Sequence, residues 1–228
     1  MSLSPDGSGP ATSAGPILSL LTPDNCALLL IDYQPQMAFA THSIDSQLLV
    51  NNAVALAKTA RVFGIPTILT TADKDTFSGP TFAQLREALG DPEPIDRTTM
   101  NAWEDERFRA AVERTGRRKL LMAGLWTEVC IVMPALRALE AGYEVYVVAD
   151  ACGGTSVTAH EMAMERMLQA GSVPVTWLQV LLELQRDWAR GATAGAVSRV
   201  IVEHGGAFGL GMQFGQAVGW TGPKAPAG

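Results

Sequence analysis

Short apolar runs alternate along this chain with longer stretches in which apolar and polar positions mix. Residues 26–31 (Cys-Ala-Leu-Leu-Leu-Ile) are apolar at every position, which is typical of a strand buried on both faces. The stretch 44–63 repeats apolar residues at helical spacing, and Gly64 follows it as a helix-ending residue. A second strand is predicted at 66–71. This order of strand, helix and strand indicates a βαβ unit.

The same alternation continues to about residue 190. The prolines within 91–94 predict a loop. Because strands separated by helices pair in parallel through right-handed crossovers, we expect an α/β fold, a three-layer α/β/α sandwich around a mostly parallel, Rossmann-like sheet. The further predicted strands are 119–123, 144–149 and 173–176, and the further helices are 82–89, 104–114, 130–141, 157–170, 179–190 and 192–202.

The two ends of the chain differ from its middle in composition. Residues 1–16 are rich in Ser, Gly, Pro and Ala, and we expect them to form a disordered N-terminal arm. Residues 17–205 are expected to form one domain with a full hydrophobic core. Residues 206–228 are too glycine-rich for a secondary-structure assignment. We interpret them as a C-terminal tail that could pack on a neighbouring subunit.

Composition and charge exclude several classes of function. The formal net charge is −6, and Lys and Arg cluster only at 117–119, so no nucleic-acid surface is expected. No apolar run approaches the roughly 20 residues that span a bilayer, and the first residues lack the pattern of a signal peptide. The 3 cysteines cannot all pair within one chain. We therefore expect a cytoplasmic protein that acts on a small molecule, with no membrane or nucleic-acid partner.

Two chemically capable residues follow strands at the edge where parallel sheets carry their sites. Asp32 ends the first strand, where it is either a cap or a general base with a shifted pKa. Cys130 falls at the predicted start of a helix, whose dipole favours a thiolate, and the alternative is a buried core cysteine. Cys152, near the same edge, ranks second as a reactive thiol. Cys26 begins a strand at the opposite edge.

Sequence patterns for metals and cofactors are weak. The glycines within 209–215 do not follow the first strand and lack the spacing of a dinucleotide loop. His42, His160 and His204 lie far apart in sequence and have no partners at ligand spacing. We interpret the three histidines as surface or locally hydrogen-bonded residues, and we expect neither a metal nor a cofactor.

Four sequence elements, taken in order, carry a resemblance to a known family. The Gly-x-x-Thr-x-x-Cys element is the most specific of them. The four elements are Asp32-Tyr33-Gln34; Arg97 with Asn101-Ala102-Trp103; Gly124-Leu125-Trp126-Thr127-Glu128-Val129-Cys130; and Ala149-Asp150-Ala151-Cys152-Gly153-Gly154-Thr155. With these elements, the chain from about Leu21 to Arg190 resembles the isochorismatase-like cysteine hydrolase superfamily, and most of all its YcaC-like subgroup.

The resemblance implies a catalytic triad of Asp, Lys and Cys. Asp32 and Cys130 match the first and last members, while Arg97 occupies the position of the family lysine. Arginine stays protonated, so it stabilises a thiolate or carboxylate but donates protons poorly. Lys74 is a less favoured alternative on the correct side of the sheet, and Lys119 lies at the wrong edge.

The resemblance also implies a cis peptide bond between Leu125 and Trp126, and an oxyanion hole formed by the amides of Trp126 and Cys130. We expect additional side chains to contact the substrate, although core packing is the alternative for the two aromatic ones. These side chains are Gln34, Phe39, Trp103 and Thr155.

These residues predict a cysteine-dependent hydrolase that cleaves a small amide-like C–N bond through a covalent thioester. Residues 71–75 (Thr-Ala-Asp-Lys-Asp) replace the Asp-x-His pattern of metal-dependent nicotinamidases, so we expect metal independence. Two alternatives stay open. The first is a catalytically weak scaffold or small-ligand-binding member of the same fold, with which Arg97 in place of lysine is compatible. The second is hydrolysis of a vinyl ether of the isochorismate type, and the presence of the cysteine argues against it. The resemblance further implies a homo-oligomer.

Overall fold

The computed structural model describes residues 19–219 of the 228-residue chain. The arm predicted at 1–16 and the last part of the predicted tail, 220–228, lie outside this range. The strands are β1 (Cys26–Ile31), β2 (Thr67–Ala72), β3 (Ile95–Arg97), β4 (Lys119–Gly124), β5 (Glu144–Val148) and β6 (Val173–Val175). The α-helices are α1 (Pro35–Phe39), α2 (Ser46–Val62), α3 (Ala83–Leu89), α4 (Glu106–Arg114), α5 (Val132–Glu140), α6 (Val157–Gln169), α7 (Trp177–Gln185), α8 (Gly191–His204) and α9 (Ala207–Ala217).

All six strands form one parallel sheet in the order β3-β2-β1-β4-β5-β6. Helices α2, α7 and α8 pack together on one side, while α5 and α6 pack together on the other. Every residue of β1 and β4 is buried, because helices cover both faces of these central strands. The predicted three-layer α/β/α sandwich is confirmed.

Five features differ from the sequence-based expectations. Helix α1 was not predicted, and α7 ends at Gln185 instead of residue 190. β3 was not predicted, because it has only three residues and follows a proline-rich loop. The glycine-rich stretch left without an assignment contains α9, which packs on α8. The helix predicted from residue 130 instead begins at Val132, after the π-helical turn Thr127–Ile131. Tertiary packing decides these short or glycine-rich segments, and local propensity does not reveal it.

Gly124 brings β4 unusually close to the end of β1. The two strands are paired in register through Ile31 and Gly124, and an added Cβ at Gly124 would lie 1.9 Å from the carbonyl oxygen of Ile31. No side chain fits in that space. The glycine therefore permits the close strand approach directly beside Asp32.

No helix among residues 19–219 combines the length and the apolar character needed to cross a membrane.

Replacement of Gly124 by alanine should destabilise the protein by about 3 kcal/mol, because the new methyl group forces two paired strands apart. Chemical denaturation of purified protein measures the free energy of unfolding. Gly195→Ala is the matched control, since its added Cβ would meet only Arg199 Nη1 at 4.0 Å. That control should leave stability unchanged or raise it by about 0.5–1 kcal/mol. Equal unfolding free energies for the two variants would show that the close approach is unimportant.

Candidate active site

The candidate site lies at the topological switch point of the sheet. After β1 the chain continues to β2 and β3 on one side, and it returns as β4 on the other side of β1. In open parallel sheets, ligands bind at such a point, where the loops that leave neighbouring strands diverge at the carboxyl ends of the strands. Asp32 directly follows β1, and the turn that carries Cys130 follows β4.

Asp32 forms a buried ion pair with Arg97. Nη2 of Arg97 lies 2.6 Å from Oδ2 of Asp32, and both side chains are completely inaccessible to solvent. Arg97 ends β3, and its Nη1 also donates to the carbonyl of Thr99. Asp32 has a left-handed backbone (φ 58°) and its amide donates to the Thr70 carbonyl at 3.0 Å. The pair is thus fixed by three adjacent strands, as a buried charge requires.

Burial raises the pKa of Asp32 to about 6, although the charge of Arg97 and a hydrogen bond from Cys130 partly oppose this rise. The carboxylate therefore predominates at pH 7, yet it binds a proton more readily than an ordinary aspartate. Oδ1 has no N–H or O–H donor among residues 19–219. A carboxylate with this pKa and a free oxygen is suited to act as a general base.

Cys130 is a buried thiol close enough to Asp32 for each group to shift the pKa of the other. Burial raises the pKa of Cys130 well above that of a free thiol, and the negative charge of Asp32 raises it further. The expectation that a helix dipole holds Cys130 as a thiolate is wrong for this resting state. Cys130 lies within the π-helical turn, four positions after Trp126. Its amide already donates to the Trp126 carbonyl at 2.9 Å.

The predicted oxyanion hole contains one amide without an acceptor and one that is already engaged. The peptide bond between Leu125 and Trp126 is cis, as the resemblance implies. The amide of Trp126 has no acceptor within residues 19–219, whereas that of Cys130 is bound to the Trp126 carbonyl. The indole Nε1 of Trp126 donates to the Met37 carbonyl at 2.9 Å and so anchors this segment to α1.

Two residues expected to bind substrate are instead engaged with the protein. Gln34 is fully buried. Its side-chain nitrogen donates to the carbonyls of Ala72 and Gly79, and its side-chain oxygen accepts from the amide of Ala72. It therefore ties the loop after β2 to the loop after β1. Thr155 donates to Glu128 through both its amide and its hydroxyl, at 3.0 and 2.6 Å.

The two expected pocket aromatics also have other surroundings. Phe39 on α1 is 77% exposed, so it lines no closed pocket within the described chain. Trp103 packs edge-on against Phe108 and Tyr143, with ring centroids 6.2 and 5.5 Å away. Since Tyr143 immediately precedes β5, this contact points toward the amino end of the sheet.

The lysines considered for the triad are occupied elsewhere. Lys74 pairs with Glu93 at 2.7 Å on the surface. Lys119 is buried at the amino edge of β4, where its Nζ pairs with Glu144 at 2.8 Å and bonds the hydroxyl of Tyr146 at 2.7 Å. Arg97 is therefore the cation that the fold brings to Asp32.

Sequence reasoning missed several contacts around the turn that carries Cys130. Tyr33, inside the quoted Asp-x-Gln element, is buried and its hydroxyl donates to the Ala151 carbonyl. The hydroxyl of Thr127 lies 2.8 Å from Nδ1 of His160, a histidine that had been interpreted as a local hydrogen-bonding residue. Thr127 belongs to the Gly-x-x-Thr-x-x-Cys element, so the sequence marked it as a residue to examine. No sequence pattern marked His160 as its partner.

Acidic, histidine and cysteine side chains do not converge on a metal position. Over the described range 19–219, no group of three or more of these residues has a geometry that could hold an ion.

Comparisons with known proteins now place the chain. Residues 26–179 match the isochorismatase domain. The probable hydrolase YcaC of Escherichia coli is 39% identical over 169 residues, which cover 74% of this chain and 81% of that protein.

Two solved structures share the fold over nearly their whole length. A crystal structure of E. coli YcaC, described as an octameric hydrolase of unknown specificity, matches with a TM-score of 0.84 and 34% identity over 89% of this chain and 98% of that one. YcaC from Pseudomonas aeruginosa, described with hexane-2,5-diol and covalent acrylamide, matches with a TM-score of 0.82 and 34% identity over 87% of this chain and 98% of that one. The chain therefore belongs to the isochorismatase family, in its YcaC-like group, and is a hydrolase.

Proposed function

We propose that this protein is a cysteine-dependent hydrolase of small amide-like substrates, in which Cys130 is the nucleophile, Asp32 the proton carrier and Arg97 the fixed cation. The observation that carries the proposal is the completely buried ion pair between Arg97 and Asp32, 2.6 Å long, beside a buried Cys130 thiol whose pKa the Asp32 carboxylate raises. A buried carboxylate with one oxygen free of N–H and O–H donors gives the thiol proton a defined destination.

The reaction begins from a neutral thiol. As the sulfur attacks the carbonyl carbon, the thiol proton passes to Asp32, and the carbonyl oxygen becomes an oxyanion. The Trp126 amide donates to this oxyanion, and one such donor supplies about 3–4 kcal/mol in comparable sites. The Cys130 amide contributes only if it shares its proton with the Trp126 carbonyl, to which it is bonded at 2.9 Å.

Asp32 then returns the proton to the leaving nitrogen, the C–N bond breaks, and a thioester remains on Cys130. Water attacks the thioester and gives one proton to Asp32. Collapse releases a carboxylic acid, and the sulfur recovers its proton from Asp32. Arg97 stays positively charged throughout, so it stabilises the carboxylate without joining the proton transfers.

The P. aeruginosa relative supports a reactive thiol, since it is described with covalently bound acrylamide and acrylamide is an electrophile that adds to sulfur. The replacement of the family lysine by arginine preserves the cation beside Asp32, which favours an active enzyme over a scaffold. We also propose that the enzyme works without a metal.

The setting of the enzyme is part of the same proposal. All three cysteines are free, which suits a reducing, cytoplasmic compartment. The octameric E. coli relative and the exposed side chains of Leu210 and Phe214 on α9, at 67% and 70%, support a homo-oligomer.

Replacement of Cys130 by alanine should abolish turnover of any amide that the native enzyme hydrolyses, because no other group can form the thioester. A screen of small amides, carbamates and nitriles, read by released ammonia or amine, identifies the substrate. Cys152→Ala is the matched control, since Cys152 is also buried near the carboxyl edge, and it should keep at least about half of the activity. Undiminished turnover by the Cys130→Ala variant would rule out covalent catalysis by this cysteine.

Alkylation of Cys130 should depend on the ionisation of Asp32 rather than on that of a free thiol. The pKa of Asp32 is raised to about 6, so the carboxylate that accepts the thiol proton is lost as the pH falls through 6. The second-order rate of acrylamide addition should therefore rise through pH 6 and stay level from about pH 7 to 9, a range in which an ordinary thiol of pKa about 8.5 still gains reactivity. Peptide mass spectrometry assigns the adduct to Cys130. A single rise centred near pH 8.5 would contradict the proton transfer to Asp32.

A further inference from the structure

The turn that carries Cys130 is attached to the start of α6 by side-chain hydrogen bonds. Oγ1 of Thr127, at the first position of the π-helical turn, lies 2.8 Å from Nδ1 of His160 in the first turn of α6. Thr127 is completely buried, so this contact is protected from water. His160 is the only side chain bonded to that hydroxyl within residues 19–219.

Neighbouring contacts hold the same turn in place. The amide of Thr127 donates to the Gly153 carbonyl at 3.0 Å. The carboxylate of Glu128 accepts from the amide and the hydroxyl of Thr155, two residues before α6 begins. The turn is therefore held through its backbone and through both of its first two side chains.

Gly154 packs closely against both His160 and Glu128. A Cβ on Gly154 would lie 3.0 Å from Cβ of His160 and 2.7 Å from Oε2 of Glu128. The absence of a side chain at Gly154 thus lets the imidazole and the carboxylate approach the turn together.

The imidazole is neutral at physiological pH. Burial lowers the pKa of His160, and the charges of Glu128 and Glu161 oppose this shift without reversing it. A neutral ring has one accepting and one donating nitrogen, so it can accept the Thr127 hydroxyl proton at Nδ1. The ring then acts as a fixed hydrogen-bonding partner and carries no charge toward Cys130.

A small movement of this turn has a large chemical consequence. Cys130 is three residues after Thr127 on the same π-helical turn, and π-helical turns are rare, irregular segments often found at functional sites. In the proposed mechanism the sulfur must lie close to Asp32 to pass its proton, and displacements of about 1 Å can cost roughly 100-fold in rate.

We propose that His160 is a positioning residue, which acts through Thr127 to hold the Cys130 turn at the distance from Asp32 that proton transfer needs. This inference rests on the proposed function, because it presupposes that Cys130 is the nucleophile. It assigns a purpose to a histidine that touches neither the ion pair nor the sulfur directly.

The test measures the rate of acrylamide addition to Cys130 in matched variants at pH 8. His160→Phe keeps the ring without an acceptor, and Thr127→Val removes the hydroxyl while keeping the shape. Each should slow the second-order rate at Cys130 about tenfold, the factor that corresponds to one net hydrogen bond. His160→Asn retains a polar atom near the place of Nδ1, and Thr127→Ser retains the hydroxyl. Both should remain within about twofold of the native rate.

The direction of the change separates positioning from simple loosening. Cys130 is only 4% exposed, so a loosened protein exposes the thiol and labels faster, whereas loss of positioning makes labelling slower. The double variant Thr127→Val/His160→Phe should label no more slowly than either single variant, because both remove the same bond. A faster or unchanged rate in the His160→Phe and Thr127→Val variants would overturn the inference.

Peptide mass spectrometry keeps this result distinct from the fate of the proposed function. Native protein that takes up acrylamide only at other residues refutes Cys130 as the nucleophile, and with it the inference. Native protein labelled at Cys130 with the same rate in all four single variants refutes the role of His160 alone. Thermal unfolding curves confirm that each variant is folded at the labelling temperature, and Thr127→Ser and His160→Asn provide the rescue comparison if a harsher variant does not fold.

Discussion

A carboxylate that is removed entirely from water must be paired, and this requirement governs the arrangement around Asp32. The ion pair with Arg97 is completely buried, so loss of either partner would leave an uncompensated charge, which typically costs about 3–5 kcal/mol. The pairing nevertheless leaves one carboxylate oxygen without an N–H or O–H donor in the described chain. In the proposed mechanism the Cys130 thiol beside this carboxylate stays neutral at rest, and its proton moves to Asp32 only when the sulfur attacks a substrate. The proposed reactivity of Cys130 therefore depends on its surroundings and not on a preformed thiolate.

The parallel sheet supplies the geometry that this chemistry needs. The switch point between β1 and β4 places the end of one strand beside the loop of the other, and Gly124 permits the strands to meet there without a side chain between them. The short edge strand β3 has little apolar surface, yet it delivers Arg97 to the pair. Gln34 and Tyr33, immediately after Asp32, bond the backbones that follow β2 and β5. The loops around Asp32 and Cys130 are thus held to one another by buried polar contacts.

Periodicity alone was sufficient to predict the layered fold, since long apolar runs and amphipathic helices report burial directly. The same reasoning found Asp32 and Cys130, because the carboxyl ends of central strands are where such sheets place their sites. It could not find β3, whose Ile-Asp-Arg sequence carries no strand pattern, or α9, whose glycines oppose a helix. The contacts of Gln34 and Trp103 could not be predicted either. A buried polar or aromatic side chain needs a partner, but the sequence does not say whether the backbone, a neighbouring ring or a substrate provides it. The state of Cys130 was misjudged for a related reason, because burial and the charge of Asp32 raise its pKa, and neither is visible in the sequence.

The central claim is that Asp32 takes the proton of Cys130, and removal of that base tests it most directly. Asp32→Asn keeps the shape of the side chain and Asp150→Asn changes another carboxylate near the same edge of the sheet, so the two variants form a matched pair. The second-order rate of acrylamide addition at Cys130, measured at pH 8 with folded protein, should fall about 100-fold or more in the first variant, as expected for the loss of a general base. It should stay within about threefold of the native rate in the second. An Asp32→Asn protein whose Cys130 reacts as fast as the native one would contradict the account.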